Sequence, residues 1–249
     1  MSDFRPCILI PTYDNPATIA AVVERAHALL PQVVVVDDGS GSETQEALRA
    51  LADAGLARVL RRAHNGGKGA AVKDGLRYCS ELGYSHALQV DADGQHDLND
   101  APRFLELGAR TPAAAILGQP IFGADAPRGR LLGRKISIFW VWVESFGRLR
   151  VDPLCGYRLY PIEAAIAANA RGNRMDFDPE VIVRMAWNGV PLQTLSTSVR
   201  YVGADEGGVS HFQMLRDNVR ISWAHTRLVC EAPFRLVTSG LPALPHEAP

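Results

Sequence analysis

Cysteine is scarce in this 249-residue chain: Cys7, Cys79, Cys155 and Cys230 stand far apart, with none of the paired spacings that bind zinc or close a redox loop. That excludes a disulfide scaffold and a structural metal held by cysteines, and it suits reduced thiols in a cytosolic protein. No charge of one sign dominates. Twenty-six Lys and Arg meet 27 Asp and Glu, a formal net charge of −1, so no field of the whole molecule recruits nucleic acid or a strongly acidic partner. Charge-driven binding must therefore be local. Long apolar runs are missing too: the longest aromatic and aliphatic stretch, ISIFWVWV (136–143), falls far short of the ~20 apolar residues of a membrane span. The opening MSDFRPCILIP has an acid near its start and only a short apolar run, unlike a secretory signal. There is no internal repeat. What remains, 47% hydrophobic and 21% charged, is an ordinary globular composition with enough length for a large core.

The first 118 residues alternate short β-branched runs with helical segments, which predicts a largely parallel sheet covered by helices. Strands are expected at 7–11, 33–37, 57–61, 86–91 and 114–118, with helices at 16–30, 43–54, 67–82 and 100–110. Pro16 suits the first turn of the first helix, Pro31 stops it, and Ser42 with Gln45 forms a capping-box pair for the second. Beyond Gly118 the pattern loosens into a Gly/Pro/Arg-rich stretch (119–134), an aromatic amphipathic segment (135–149), and helices near 161–170, 177–188 and 211–228. We expect one domain over 1–235, with halves at 1–120 and 121–235, and a proline-rich flexible tail over 236–249.

Two expected strands end in acids: VVVVDDGS places Asp37 and Asp38 at one carboxyl edge, and LQVDADGQ places Asp91 and Asp93 at another. Open parallel sheets bind ligands at that edge. Asp91 and Asp93, two apart in an extended segment, point to one side, where their repulsion raises a pKa unless a cation neutralises them. Hard oxygen donors suit Mg²⁺ or Mn²⁺, and Gln95 adds a third oxygen on the same side. The plainer alternative is a solvated turn with capping aspartates. An EF-hand fails, because a loop begun at Asp91 has its glycine fourth and Pro102 twelfth. A P-loop fails as well, since Lys68 of HNGGKGAA (64–71) is followed by Gly69 and Arg62 stands where the first glycine belongs. That glycine-rich turn either offers its N–H groups and Lys68 to an anion or permits close packing.

The stretches PTYDN (11–15), VDDGS (36–40), HNGGKGAA (64–71) and DADGQ (91–95), in that order and at those separations, resemble the inverting glycosyltransferase family that includes dolichol-phosphate mannosyltransferase. The resemblance implies a GT-A fold, one α/β domain binding a nucleotide sugar such as a UDP- or GDP-sugar, with a divalent cation bridging the donor diphosphate to the carboxylates. It further implies that Pro11, Thr12, Tyr13 and Asp38 hold the base and ribose, with Lys68, Asp91 and Ala92 also at the nucleotide. Asp91, Asp93 and Gln95 become the metal ligands. His211, in GGVSHF (207–212), stands where relatives carry a lysine loop over the diphosphate, so it is a metal ligand or phosphate contact by the same analogy. Asn15 and Gln119–Pro120 depart from the mannosyltransferase pattern, which leaves the donor sugar open.

An inverting transfer needs a nucleophile behind the anomeric carbon, deprotonated by a carboxylate if it is a hydroxyl. DFDPEVIVR (176–184) resembles the family's acidic motif near the acceptor pocket, making Asp178 the first candidate base and Glu180 the second; helix capping is the competing explanation. DPLCGYR (152–158) resembles the acceptor side, which nominates Asp152 and Arg158, against an ordinary loop salt bridge. Residues 128–150 place basic ends around an aromatic middle, fitting an anionic lipid surface. The spacing of Ile136, Phe139, Trp140, Val143 and Phe146 fits packing on the core or a second subunit equally well. The expected protein is therefore a cytoplasmic, metal-dependent glycosyltransferase, peripheral at the inner membrane face, acting on a lipid-linked (polyprenyl phosphate) or other hydroxyl acceptor. A haloacid-dehalogenase-type phosphatase, with Asp91 as nucleophile, and a non-catalytic sugar-nucleotide-binding module are the rivals.

Overall fold

In the computed structural model, which describes residues 4–122, 128–199 and 214–247, the apolar runs of the first half become the middle of one sheet. Its strands are β1 (Pro6–Thr12), β2 (Val33–Asp37), β3 (Arg58–Arg61), β4 (His86–Gln89), β5 (Ala115–Phe122), β6 (Arg158–Pro161), β7 (Leu192–Val199) and β8 (His246–Glu247). They lie in the order β3-β2-β1-β4-β6-β5-β7-β8. All pairings are parallel except those of β6, which runs antiparallel to β4 and β5. Thr12 pairs with Asp37 in the register, so β1 and β2 end level with each other and their loops emerge together.

Helices α1 (Ile19–Leu29), α2 (Ser42–Asp53), α3 (Lys68–Glu81), α4 (Ala101–Arg110), α5 (Arg128–Glu144), α6 (Ile162–Ala167), α7 (Phe177–Trp187) and α8 (Met214–Ser239) cover the sheet. The period of two along each strand sorts the core into two layers. Leu9, Val34 and Val36 face α3 and α7, packing with Val72, Leu76, Val181 and Met185. Ile8, Ile10, Val33 and Val35 face the other way, toward Val23 of α1, Leu48 of α2 and Phe104 of α4. Both faces of β1 and β2 are thus buried, which is why they read as continuous apolar runs rather than alternating ones. Truncating Leu9 or Ile10 to alanine costs about 2–5 kcal/mol by cavity formation.

The structure departs from the sequence-based expectations in places. Pro16 precedes α1 instead of opening it; residues 15–18 form a turn in which the Asn15 carbonyl accepts the N–H groups of Thr18 and Ile19. Gly41 caps α2, and the Gln45 amide reaches the Ser40 carbonyl rather than boxing with Ser42. β4 ends at Gln89, before the acids. β6 and β7 were not expected: β6 is short and headed by an arginine, and the apolar positions of LQTLSTSV are diluted by Thr and Ser. In the stretch expected as a tail, α8 runs on to Ser239 and His246–Glu247 pair with β7.

Candidate active site

The level ends of β1 and β2 are stitched together. Asp14 Oδ1 accepts the Gly41 N–H at 2.7 Å, the Asp14 N–H donates to Ser40 Oγ at 3.0 Å, and the Ser40 N–H donates to Asp37 Oδ1 at 2.8 Å. Pro11 and Thr12 are buried at the head of this seam and Tyr13 is half-buried beside it. Ala92 is tied in from the β4 side, where its carbonyl accepts the Thr18 hydroxyl at 2.7 Å.

Asp38, expected at the nucleotide, is buried and occupied by the protein itself. Its carboxylate accepts the N–H groups of Gly66 at 3.0 Å and Gly67 at 2.7 Å, and it pairs with Arg62, which also bonds Asp74. The glycine-rich turn therefore does hold an anion through backbone N–H groups, but that anion is Asp38. Close packing is the second reason for the glycines. Gly67 has φ +97°, and a Cβ there would sit 2.4 Å from Arg174 Cγ and 2.7 Å from the Asn173 carbonyl oxygen.

Lys68 leaves this turn at the first position of α3 and enters a charge cluster in which Arg158 and Asp178 are buried and Lys68 and Asp91 are partly exposed. Its ammonium lies 2.9 Å from Asp91 Oδ1 and 3.2 Å from Asp178 Oδ2, and Arg158 on β6 lies 3.4 Å from Asp178 Oδ1. Two cations and two anions balance, which is the condition for burying them at all. Burial alone would lower the Lys68 pKa, yet Asp178 and then Asp91 outweigh it and hold it above its ordinary value. Burial would likewise raise Asp91, but Lys68 and then His96 hold it well below the ordinary carboxylate range. His96 Nε2 lies 3.3 Å from Asp91 Oδ2, its ring rests on Tyr157, and its Nδ1 is buried without a hydrogen-bond partner among the described residues. Gly156 closes the cluster from the β6 side, because a Cβ there would come within 2.4 Å of Asp91 Oδ2 and 2.6 Å of Lys68 Nζ.

Asp93 stands outside this balance. Burial, and then the charge of Asp91, push its carboxyl above the ordinary value, which is the repulsion that a cation relieves. The segment is a turn rather than an extended strand, with Gly94 at φ +73°, and Gln95 contributes its backbone N–H to Asp93 Oδ1 at 3.0 Å. Among the described residues no group of three or more His, Cys, Asp or Glu gathers around a point that could hold an ion. Two carboxylates with further positions left to phosphate oxygens and water are nonetheless the usual protein share of a Mg²⁺-type site, so Asp91 and Asp93 fit a divalent ion that arrives with a diphosphate. His211 lies outside the described residues.

Of the remaining candidates, Glu180 faces away from the cluster. It is buried, with Oε2 accepting the Gly172 N–H at 2.8 Å and Oε1 accepting Arg184 Nε at 2.8 Å, and Arg227 lies 3.4 Å off. The helix turn carries Asp178 and Glu180 in different directions, so the second candidate base is a brace between α7, α8 and the 172 loop. Arg158 is wholly buried, donating to the Tyr160 hydroxyl and to the carbonyls of Pro153 and Asp178, so it reaches an acceptor only through Asp178. Asp152 forms the loop salt bridge that was the plainer alternative: it accepts Arg134 Nη1 of α5 at 2.7 Å and the Leu154 N–H at 2.8 Å. Reading the sequence missed His96, Gly156 and Arg62. His96 stood in the same acidic stretch, and Gly156 between two nominated residues; for Arg62, whose partners are 24 and 12 positions away, no local signal exists.

The family described as Glycosyl transferase family 2 matches residues 7–160. A polyprenol monophosphomannose synthase from Mycolicibacterium smegmatis is 37% identical over 106 residues, 41% of this chain and 40% of that protein. An undecaprenyl-phosphate mannosyltransferase from Micrococcus luteus is 35% identical over 166 residues, 63% of this chain and 66% of that protein. The matched stretches thus span less than two thirds of either relative. Among solved structures, glucosyl-3-phosphoglycerate synthase from Mycobacterium tuberculosis in complex with Mn²⁺ and UDP-glucose superposes with a TM-score of 0.64 at 16% identity, covering 97% of this chain and 81% of that one. The fold is therefore GT-A.

Proposed function

Since this chain belongs to glycosyl transferase family 2, we propose that it transfers a sugar, with inversion, from a UDP- or GDP-sugar to a polyprenyl phosphate or other hydroxyl-bearing acceptor. The observation that carries the reading is the convergence of four sequence-distant acids and bases, Lys68, Asp91, Arg158 and Asp178, on one partly buried cluster at the carboxyl edge of the sheet. Asp93 lies beside it with charge to spare.

In this reading Pro11, Thr12, Tyr13 and Ala92 line the nucleoside end, while Asp38 holds the loop that delivers Lys68. Asp91 and Asp93 hold a Mg²⁺ or Mn²⁺ ion, joined from outside the described residues by His211. That ion, when bound, neutralises the charge that develops on the departing nucleoside diphosphate. Lys68 supplies a positive charge next to the same place, held in position by Asp91 and Asp178 and therefore needing little reorganisation when the bond breaks.

The geometry also bears on the acceptor. Proton transfer to Asp178 would cost it ion pairs with both Lys68 and Arg158, whereas a phosphate acceptor arrives ionised and asks for no base. That favours a lipid phosphate over a sugar or glycerate hydroxyl, and it makes Asp178 a positioning residue for Lys68. The two mannosyltransferase relatives, named for polyprenol and undecaprenyl phosphate, support the same side.

The test is turnover. Purified protein with Mn²⁺, a panel of UDP- and GDP-sugars and polyprenyl phosphate should release nucleoside diphosphate only when a matching donor and the acceptor are both present, and NMR of the product should show the inverted anomer. A raised melting temperature with every donor but no release would make it a binding module. Retained anomeric configuration would remove the mechanism.

A further inference from the structure

Gln89 closes β4 in the middle of the sheet, between Leu9 of β1 and Arg158 of β6, and its side chain is wholly buried. The period of two along the strand puts it on the face of Ala87, which packs in the apolar layer under α3 and α7. A leucine or methionine would fill that position without a polar atom. A buried carboxamide costs free energy unless both of its ends are hydrogen-bonded, and here only one is. Nε2 donates to Asp91 Oδ1 at 3.4 Å, while Oε1 is buried with no hydrogen-bond partner among the described residues. Arg158 Nε, across the strand pair, is in the same condition. The carboxamide thus turns its nitrogen to Asp91 and leaves its oxygen unmatched, which is the orientation an ionised carboxylate demands, because that group only accepts.

Three nitrogens meet the Asp91 carboxylate, each from a different part of the fold. Lys68 Nζ of α3 lies 2.9 Å from Oδ1 and 3.0 Å from Oδ2, and His96 Nε2, in the segment after β4, lies 3.3 Å from Oδ2. The Lys68 ammonium rides on a flexible stem and is shared with Asp178 at 3.2 Å. Gln89 is the contact that comes from a strand paired on both sides, so its base cannot shift without moving the sheet. It is also uncharged. A second ammonium there would neutralise Asp91 and weaken its hold on a divalent ion, whereas a carboxamide orients the carboxylate and leaves its charge in place.

We propose that Gln89 is a positioning residue: from the floor of the site it fixes the orientation in which the Asp91 carboxylate meets a divalent ion and diphosphate. The inference rests on the reading of a metal-dependent sugar transfer and adds to it a residue that touches neither donor nor ion. UDP and GDP are titrated calorimetrically into the wild type and into Gln89→Met, each with and without Mn²⁺, and both ligand-free proteins are melted. Methionine keeps the length of the side chain and removes the donor. The Mn²⁺-dependent affinity for the nucleoside diphosphate should fall about 10-fold or more in the variant, the usual effect of removing a group that orients a metal ligand, whereas affinity without the ion should match the wild type. The melting temperature should stay level or rise, because the substitution takes away the unmatched buried acceptor. A merely structural glutamine gives the reverse pattern, a lower melting temperature with the Mn²⁺-dependent gain intact, and that result overturns the proposal. Gln89→Leu supplies the same readout should the methionine variant fail to fold. A wild type that gains nothing from Mn²⁺ with either nucleotide removes the metal-dependent reading and the proposal together; a wild-type gain that Gln89→Met keeps in full removes the proposal alone.

Discussion

Asp178 and Glu180 stand two residues apart in the first turn of α7, both buried and both paired with basic side chains, yet their surroundings differ in kind. Glu180 has each oxygen taken, by Arg184 Nε and by the Gly172 N–H, and Arg184 passes the load on to Glu231 at 2.7 Å. Asp178 meets Lys68 and Arg158 in ion pairs, but its Oδ1 has no hydrogen-bond partner among the described residues. The first is a closed network that ties α7 to α8. The second is a charge cluster that ties α7 to α3 and β6 and reaches the partly exposed Asp91. Both acids are buried and charged, so what distinguishes them is their partners: Glu180 has a hydrogen bond at each oxygen, and Asp178 is held by ion pairs.

The contrast can be broken in a graded way. Asp91→Asn strikes the charge cluster hardest, since it removes a carboxylate from both Lys68 and the proposed ion; turnover should fall about 10³-fold, as for loss of a major electrostatic contact at the reacting bond. Glu180→Ala strikes the closed one and should act on stability alone, lowering it by about 3–5 kcal/mol in a denaturant titration because Arg184 is left buried with its local partner gone. Turnover per folded molecule should survive; a large loss at unchanged stability would move Glu180 into the site.

Asp178→Asn sharpens the comparison between a base and a positioning residue. With a polyprenyl phosphate acceptor kcat/KM should drop only about 10-fold, whereas loss of a general base would cost at least about 100-fold. Gly156→Ala forces a methyl against Asp91 and Lys68 and should weaken donor binding roughly 10-fold, an overpacking cost of about 1–3 kcal/mol, readable as a higher KM.

The smallest effect is on acid stability. Because the folded Asp91 carboxyl lies below the ordinary aspartate value of 3.8, the unfolded chain takes up its proton first. The stabilisation is full above 3.8 and is lost as pH falls from there toward the lower folded value. Melting curves of the wild type against Asp91→Asn should diverge above that window and converge below it; parallel curves would deny the Lys68–Asp91 pair its energetic role.

The parallel half of the fold was legible because β1 and β2 are buried on both faces and spell it out in Ile, Leu and Val. β6 was not, since it is four residues long and its leading residue is an arginine whose charge is met from α7 and the 153 loop, contacts that only the tertiary structure supplies. At the site, acids clustered in sequence, Asp91 and Asp93, could be found from spacing alone. Asp38 was singled out for a ligand; its carboxylate also accepts the Gly66 and Gly67 N–H groups, partners that its sequence neighbours do not reveal. Glu180 looked as acidic and as well placed as Asp178, and the difference between them is which way a helix turn points each one. Local chemistry shows which residues carry charge; the partners that spend or spare it come from elsewhere in the chain.

The measurement closest to the central claim is calorimetric titration of a nucleotide sugar into the wild type and into Asp93→Ala, each with and without Mn²⁺. The wild type should bind its donor at least about 10-fold more tightly with the ion, and Asp93→Ala should bind equally weakly in both conditions. A full Mn²⁺-dependent gain in the variant would mean that the ion, if used, is held somewhere other than at the turn following β4.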